Sequence, residues 1–411
     1  MTQVAPDVAR ETAPGFANAQ VVLKPRKARP FYGRHPWVLD SAIARIEGTV
    51  ADGDIVDLVS DAGKFIARGL YNSRSRIQVR LYTWDVQQAL DADMLEARLN
   101  RAIDLREQLG YLQPHTAARL VFSEADGLGG LIVDRYGDYL AIQVTALAMA
   151  LRLEQIVPAL VHRLAPRGVV LRTEKGVSQT EGVELRDGPL WGEVPPVPVF
   201  IDENGLKYGV DLAVGQKTGF YLDQRENRRV AAGYARGRRV LDMFCYSGGF
   251  SLCAAHHGHA REVVAFDSSE KAIALARANA ELNGVAQIHF EVSDAFDALD
   301  RLASGNERFE MVVLDPPKFA RSRQAVDEAM RAYHRVNRLA VDLLEPGGIL
   351  VTSSCSGHVT REDFLYMLVG VAQQAKRDLQ ILEVRGAAAD HPVSATCLET
   401  EYLKCFVCRV V

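Results

Sequence analysis

The chain of 411 residues lacks several things that would point to whole classes of protein. No apolar run approaches the roughly 18 residues that a membrane-spanning helix needs, so none is expected. Residues 1–19 are rich in Ala, Pro and Thr but lack the apolar core of a secretion signal, and a disordered tail is expected there. No cysteine precedes Cys245; the others are Cys253, Cys355, Cys397, Cys405 and Cys408. Without a secretion signal this favours a reduced, cytoplasmic protein over a disulfide framework. No G-x-G-x-x-G is present, which speaks against a dinucleotide pyrophosphate site. Cys405 and Cys408 have metal-like spacing, but they sit in an apparent strand, where an odd separation sends them to opposite faces. No histidine cluster accompanies them, so no metal is expected. Internal repeats and low-complexity tracts are also missing.

Charge of either sign is not in excess: the net charge is −4. Its distribution is uneven. Residues 21–85 carry 11 Lys and Arg against 7 Asp and Glu, a local excess of +4. The cations bunch at Lys24, Arg26, Lys27, Arg29 and Arg34, and again at Arg74, Arg76 and Arg80. Such a face suits phosphate contacts as well as plain solvation.

The length argues for more than one domain. Residues 20–93 read as short strands with Asp-Gly and Ala-Gly turns, including 48–50, 55–59, 65–68 (ended by Gly69) and 76–82. That predicts a small β-barrel. A helix follows from Ala92, with Leu95, Leu99, Ile103 and Leu105 on its apolar face. Residues 94–198 read as an α+β unit with strands at 130–134, 139–144 and 169–172 and a helix at 149–164. Val194-Pro195-Pro196-Val197-Pro198 breaks regular structure. From 199 to 411 strands and helices alternate, with strands at 239–244, 263–266, 288–291, 311–314 and 348–353. This predicts a Rossmann-like doubly wound parallel sheet. Two more strands, near 379–384 and 402–410, are expected as an antiparallel hairpin at its edge.

The loops after these strands carry the candidate chemistry, because open α/β sheets bind ligands at the carboxyl ends of their strands. The first is Asp242-Met243-Phe244-Cys245-Tyr246-Ser247-Gly248-Gly249, a glycine turn that lets a ligand approach the backbone. Asp267 follows the second strand, 25 residues after Asp242, where a carboxylate can accept from ribose hydroxyls. Asp294 follows the third and can serve an adenine amino group or cap a helix. Acids at successive strand ends without a diphosphate pattern suit S-adenosylmethionine better than NAD. Asp315-Pro316-Pro317-Lys318-Phe319 follows the fourth strand, its prolines presetting the pose of Asp315. Ser353-Ser354-Cys355-Ser356 follows the fifth. A cysteine nucleophile needs a lowered pKa or a nearby base, for which Lys318 and His358 are candidates.

Together these motifs resemble the bacterial class I S-adenosylmethionine-dependent methyltransferases that make 5-methylcytosine in 23S ribosomal RNA and carry an N-terminal PUA domain. The resemblance rests on residues 240–251, on Gly215-Gln216-Lys217-Thr218-Gly219-Phe220-Tyr221-Leu222-Asp223-Gln224-Arg225, on the Asp315 and Cys355 loops, on Arg34-His35-Pro36-Trp37-Val38 and on residues 126–136. It covers about residues 20–411, with Gly129 standing where proline is expected. It implies that Cys355 adds to C6 of a cytosine, that Asp315 supports the ring-nitrogen side, and that Lys318 assists. It implies cofactor contacts from Lys217, Tyr221, Asp242, Phe244, Ser247 and Gly248, together with Asp267, Asp294 and Asp315. The implied partner is large-subunit ribosomal RNA, with no membrane and with a homodimer left open. A methyltransferase of another base or atom, and a non-catalytic RNA-binding protein with a vestigial cofactor site, are the competing readings.

Overall fold

The computed structural model describes residues 14–173, 176–212, 218–320 and 322–411. Most of the expected tail, and Lys217, lie outside the described residues. Packing starts ahead of residue 20: the Gly15 carbonyl accepts from Leu90 N, and the Phe16 ring lies 4.6 Å from the Arg68 guanidinium.

Three large sheets follow one another along the described residues, with a two-stranded one ahead of the last. The first holds β1 (Ala19–Leu23), β2 (Trp37–Leu39), β3 (Ile43–Glu47), β4 (Ile55–Val59), β5 (Phe65–Tyr71) and β6 (Ile77–Thr83), in the order β2-β6-β5-β4-β1-β3. Its core is built by Val21, Leu23, Val38, Leu58, Val79 and Leu81. Two local expectations fail here. Residues 48–50 form the turn after β3, not a strand, with Gly48 at φ +95. Gly69 does not end its strand: β5 continues to Tyr71. A Cβ at Gly69 would lie 2.3 Å from the Arg80 carbonyl oxygen, and the β5–β6 register shifts there. The glycine marks a bulge and a close strand approach.

The helix Ala92–Gln108 leads into β7 (Ala117–Phe122), β8 (Leu131–Tyr136), β9 (Tyr139–Val144), β10 (Gly168–Arg172) and β11 (Gly188–Gly192), in the order β11-β10-β9-β8-β7. Leu95, Leu99 and Ile103 are buried as expected, but Leu105 is exposed and Arg106 is buried in its stead. The expected helix at 149–164 is two helices, Leu147–Ala150 and Leu153–Leu164. An unanticipated hairpin, β12 (Val199–Glu203) and β13 (Leu206–Val210), opens the last unit.

The third sheet contains β14 (Arg239–Met243), β15 (Glu262–Asp267), β16 (Ile288–Val292), β17 (Phe309–Leu314), β18 (Leu344–Ser354), β19 (Leu379–Arg385) and β20 (Lys404–Val410). Their order is β16-β15-β14-β17-β18-β20-β19. The first five run parallel; β20 is antiparallel to both β18 and β19. Alternate side chains feed two cores, one on each face. Val240, Val313, Val351 and Cys405 join one; Leu241, Leu314, Leu350 and Cys408 join the other. Cys405 and Cys408 therefore do point to opposite faces. The order of the strands reverses between β14 and β17, so the loops after them open on the switch point, where such sheets bind ligands.

A buried ionic cluster fastens the middle unit to the last. Arg106 grips both oxygens of Asp126 at 2.6 and 2.8 Å and reaches the Asp390 carbonyl at 2.8 Å. The Asp390 carboxylate accepts from Arg119 N and pairs with Arg225. Burial pushes the Asp390 carboxyl up, but its neighbours, His391 first, hold it at about 2. The first two units are joined by Arg80, which bonds Glu124 at 3.1 Å and Glu181 at 3.2 Å. Arg80 is thus an ion-pair residue and not part of a free basic face, whereas Arg26, Lys27, Arg29 and Arg34 are exposed.

Candidate active site

The loop after β14 turns sharply, with Phe244, Tyr246 and Gly248 all at positive φ. Gly248, at φ +83, caps the helix Gly249–His256, a backbone pose natural to glycine. Ser247 is buried, and its carbonyl accepts from Asn279. Phe244 is half-buried and packs on the second core. Asp242 is 1% exposed. Its Oδ2 accepts from Ser251 Oγ at 2.5 Å, while its buried Oδ1 has no hydrogen-bond partner among the described residues. Burial pushes this carboxyl up to about 7, and the charges of Asp315 and Asp267 add to the effect. Asp267, at the end of β15, accepts from Tyr246 N at 3.0 Å and Ser269 N at 2.9 Å, tying the first loop to the second. Asp294 is exposed and accepts from Phe296 N at 2.8 Å, so it acts as a helix cap.

Leu314 pairs with Thr352, which sets the ends of β17 and β18 side by side. Asp315 and Cys355 are both half-buried there. Gln224 Nε2 donates to Asp315 Oδ1 at 2.7 Å. The Cys355 thiol donates to the Pro316 carbonyl across 3.9 Å, so the two loops meet directly. Tyr333 explains the flanking serines. Its hydroxyl lies 2.9 Å from both Ser354 Oγ and Ser356 Oγ, and Ser356 Oγ also accepts from Ala320 N. In an extended chain, two serines turned to one side put the intervening Cys355 on the other. Tyr221 packs edge-on to Tyr246 at 5.3 Å. Burial raises its phenol, followed by the charges of Asp315 and Cys355, which places the ring beside both loops.

The two cations expected to help the cysteine, Lys318 and His358, are both exposed. A buried cation also reaches the Cys355 loop. Lys404, 2% exposed on β20, pairs in register with Ser354. Its Nζ donates to the Ser356 carbonyl at 2.7 Å and to the Tyr402 carbonyl at 2.8 Å. Burial pushes its pKa down to about 8, opposed first by Cys355. Sequence reasoning did not single out Lys404, Gln224 or Ser251. Gln224 and Ser251 sit inside the motifs quoted above, and Lys404 is one of two cations, with Arg409, in an otherwise apolar strand.

The strand ends thus present carboxylate acceptors, one of them an orphaned buried oxygen, beside a glycine turn without a phosphate cradle. That set of acceptors fits a ligand offering hydroxyl and ammonium hydrogens, as S-adenosylmethionine does.

Comparison with known proteins agrees. Residues 21–84 match the model of a PUA-like domain, and residues 186–392 that of an S-adenosylmethionine-dependent methyltransferase. Ribosomal RNA large subunit methyltransferase I of Erwinia tasmaniensis is 38% identical over 95% of this chain and 99% of its own length. The Aeromonas hydrophila protein of that name is 40% identical over 95% and 99%. A Streptococcus mutans structure proposed as a SAM-dependent methyltransferase superposes with TM-score 0.82 over 95% of this chain and all of that one, at 23% identity. That likeness bears on the fold. The relatives bear on more: this chain belongs to the S-adenosylmethionine-dependent methyltransferases and, among them, to the ribosomal RNA large subunit methyltransferase I family.

Proposed function

We propose that the chain methylates C5 of a cytosine in 23S ribosomal RNA, in the cytoplasm, with Cys355 as a transient nucleophile. The observation that carries this is the meeting of Cys355 and Asp315 on adjacent strand ends. Bound S-adenosylmethionine supplies the methyl group. The acids Asp242 and Asp267, with the Ser247–Gly248 turn, would hold that cofactor, together with Tyr221 beside the Asp315 and Cys355 loops. Lys217 and Asp294 belong to the same proposed set. The Cys355 sulfur forms a bond to C6 and pushes the ring electrons toward C5. Asp315, held by Gln224, carries a proton that it donates to the ring nitrogen where negative charge gathers. C5 takes the methyl, leaving S-adenosylhomocysteine, and then loses its proton to solvent; the C5–H electrons re-form the C5–C6 double bond as the C6–S bond breaks to release the Cys355 thiolate. The target base must leave its stack to enter, which is cheapest in looped RNA. The exposed Arg26, Lys27, Arg29 and Arg34 of the PUA-like unit would grip phosphates and position the strand. Cys355→Ala tests the reading: methylation of ribosomal RNA is expected to vanish while calorimetric binding of S-adenosylmethionine persists. A Cys355→Ala protein that still turns over would overturn the covalent route.

A further inference from the structure

A nucleophilic thiol works as its thiolate, so something must make the charge at Cys355 tolerable. The surroundings mostly oppose it. The Asp315 carboxyl on the adjoining loop brings no positive charge. The phenols of Tyr221, Tyr333 and Tyr402 are all raised, by burial first, and so stay neutral. Lys318, the cation nearest in sequence to these loops, is exposed. Lys404 is a buried cation on the neighbouring strand. It stands in a strand otherwise filled by buried Cys405, Phe406, Val407 and Cys408. Burying an ammonium there is costly, and an apolar side chain of similar length would fill the slot without that cost. Two of its three hydrogens go to the Ser356 and Tyr402 carbonyls, the first of these on the residue after the cysteine. No acceptor among the described residues takes the third.

We propose that Lys404 is a positioning residue for the reaction: its buried ammonium stabilises the Cys355 thiolate and clamps the Ser356 carbonyl so that the sulfur faces the base. The charges around Lys404 are consistent with this. Cys355 is the strongest influence in favour of the ammonium and Glu401 the next, while Arg361 and Lys318 oppose it. With a pKa of about 8, the amine remains mainly protonated at neutral pH. The thiol proton leaves to solvent, and Lys404 neither gains nor loses one. The catalytic purpose rests on Cys355 being the nucleophile; the ionisation itself does not.

The test is the pH dependence of Cys355 alkylation by iodoacetamide in the full chain, followed on the Cys355 peptide by mass spectrometry between pH 5 and 10. The wild-type thiol is expected to titrate below the usual value of about 8.5. In Lys404→Gln, which keeps a donor but loses the charge, the profile should move up by at least about one pH unit, with reactivity at pH 7 falling roughly tenfold. Methylation should fall with it and recover in part as pH rises. A wild-type thiol titrating at or above the usual value, or one profile shared by wild type and Lys404→Gln, overturns the proposal. The wild-type profile decides even if the variant folds poorly. A Cys355→Ala protein that still methylates would refute the nucleophile and leave the ionisation result standing.

Discussion

Asp242→Asn is the perturbation with the most distinctive expected signature. Asp242 is buried with one oxygen bonded to Ser251 and the other without a hydrogen-bond partner among the described residues. Burial raises its folded-state pKa from 3.8 to about 7. A carboxyl raised in the folded state binds its proton more tightly there than in the unfolded chain. Its contribution to stability is therefore complete below about pH 4 and is lost as pH rises to about 7. About three pH units at about 1.4 kcal/mol each amount to a cost on the order of 4 kcal/mol at pH 8. Asparagine has a similar shape and does not titrate. Urea unfolding of the cofactor-free proteins at pH 5, 6, 7 and 8 is the assay. The stability of Asp242→Asn relative to wild type should climb between pH 5 and 7 by up to about 1.4 kcal/mol per unit and then level off. S-adenosylmethionine binding should weaken in the same variant, because a charged acceptor is gone. A stability difference that stays flat from pH 5 to 8 would refute the reasoning.

Two further substitutions probe the frame around the site. Arg106→Met should destabilise the protein by about 3–5 kcal/mol, since it leaves the largely buried Asp126 carboxylate without its guanidinium; a change in unfolding free energy below about 1 kcal/mol, the worth of a surface pair, would mean the cluster is not a fastening. Gly248→Ala forces a Cβ onto a residue at φ +83, against Ala276 Cβ at 3.3 Å. It should cost about 1–2 kcal/mol and weaken S-adenosylmethionine binding, read by thermal shift and calorimetry, whereas wild-type values for both would show the turn to be tolerant.

Much of the site was legible because its two key loops follow uninterrupted apolar strands. Met311-Val312-Val313-Leu314 and Ile349-Leu350-Val351 are buried on both faces, and such runs mark the interior of a parallel sheet. What came next in each, Asp315 and Cys355, was therefore placed at the sheet's carboxyl edge from sequence. Side-chain partners were less legible, since they depend on which distant element packs alongside. Lys318 stood out because it is near Asp315 in sequence, while Lys404 reaches the Cys355 loop through strand pairing from 50 residues away, as the Ser354–Lys404 register shows. Arg80 was grouped with a basic face, although its partners Glu124 and Glu181 lie in the next unit. Asp294 offered two roles in sequence, and the cap is the one seen in its hydrogen bonds. Gly69 resembled a strand end because a bulge and a stop use the same residue.

The central claim is that Cys355 carries a cytosine-C5 methylation of large-subunit ribosomal RNA. Nucleoside mass spectrometry of 23S ribosomal RNA from cells lacking this protein, with and without the wild-type or Cys355→Ala chain restored, tests it most directly. The account predicts one 5-methylcytosine missing from the deletion strain, restored by the wild-type chain and not by Cys355→Ala. An unchanged set of 5-methylcytosines, the loss of a different methylated base, or restoration by Cys355→Ala would contradict it.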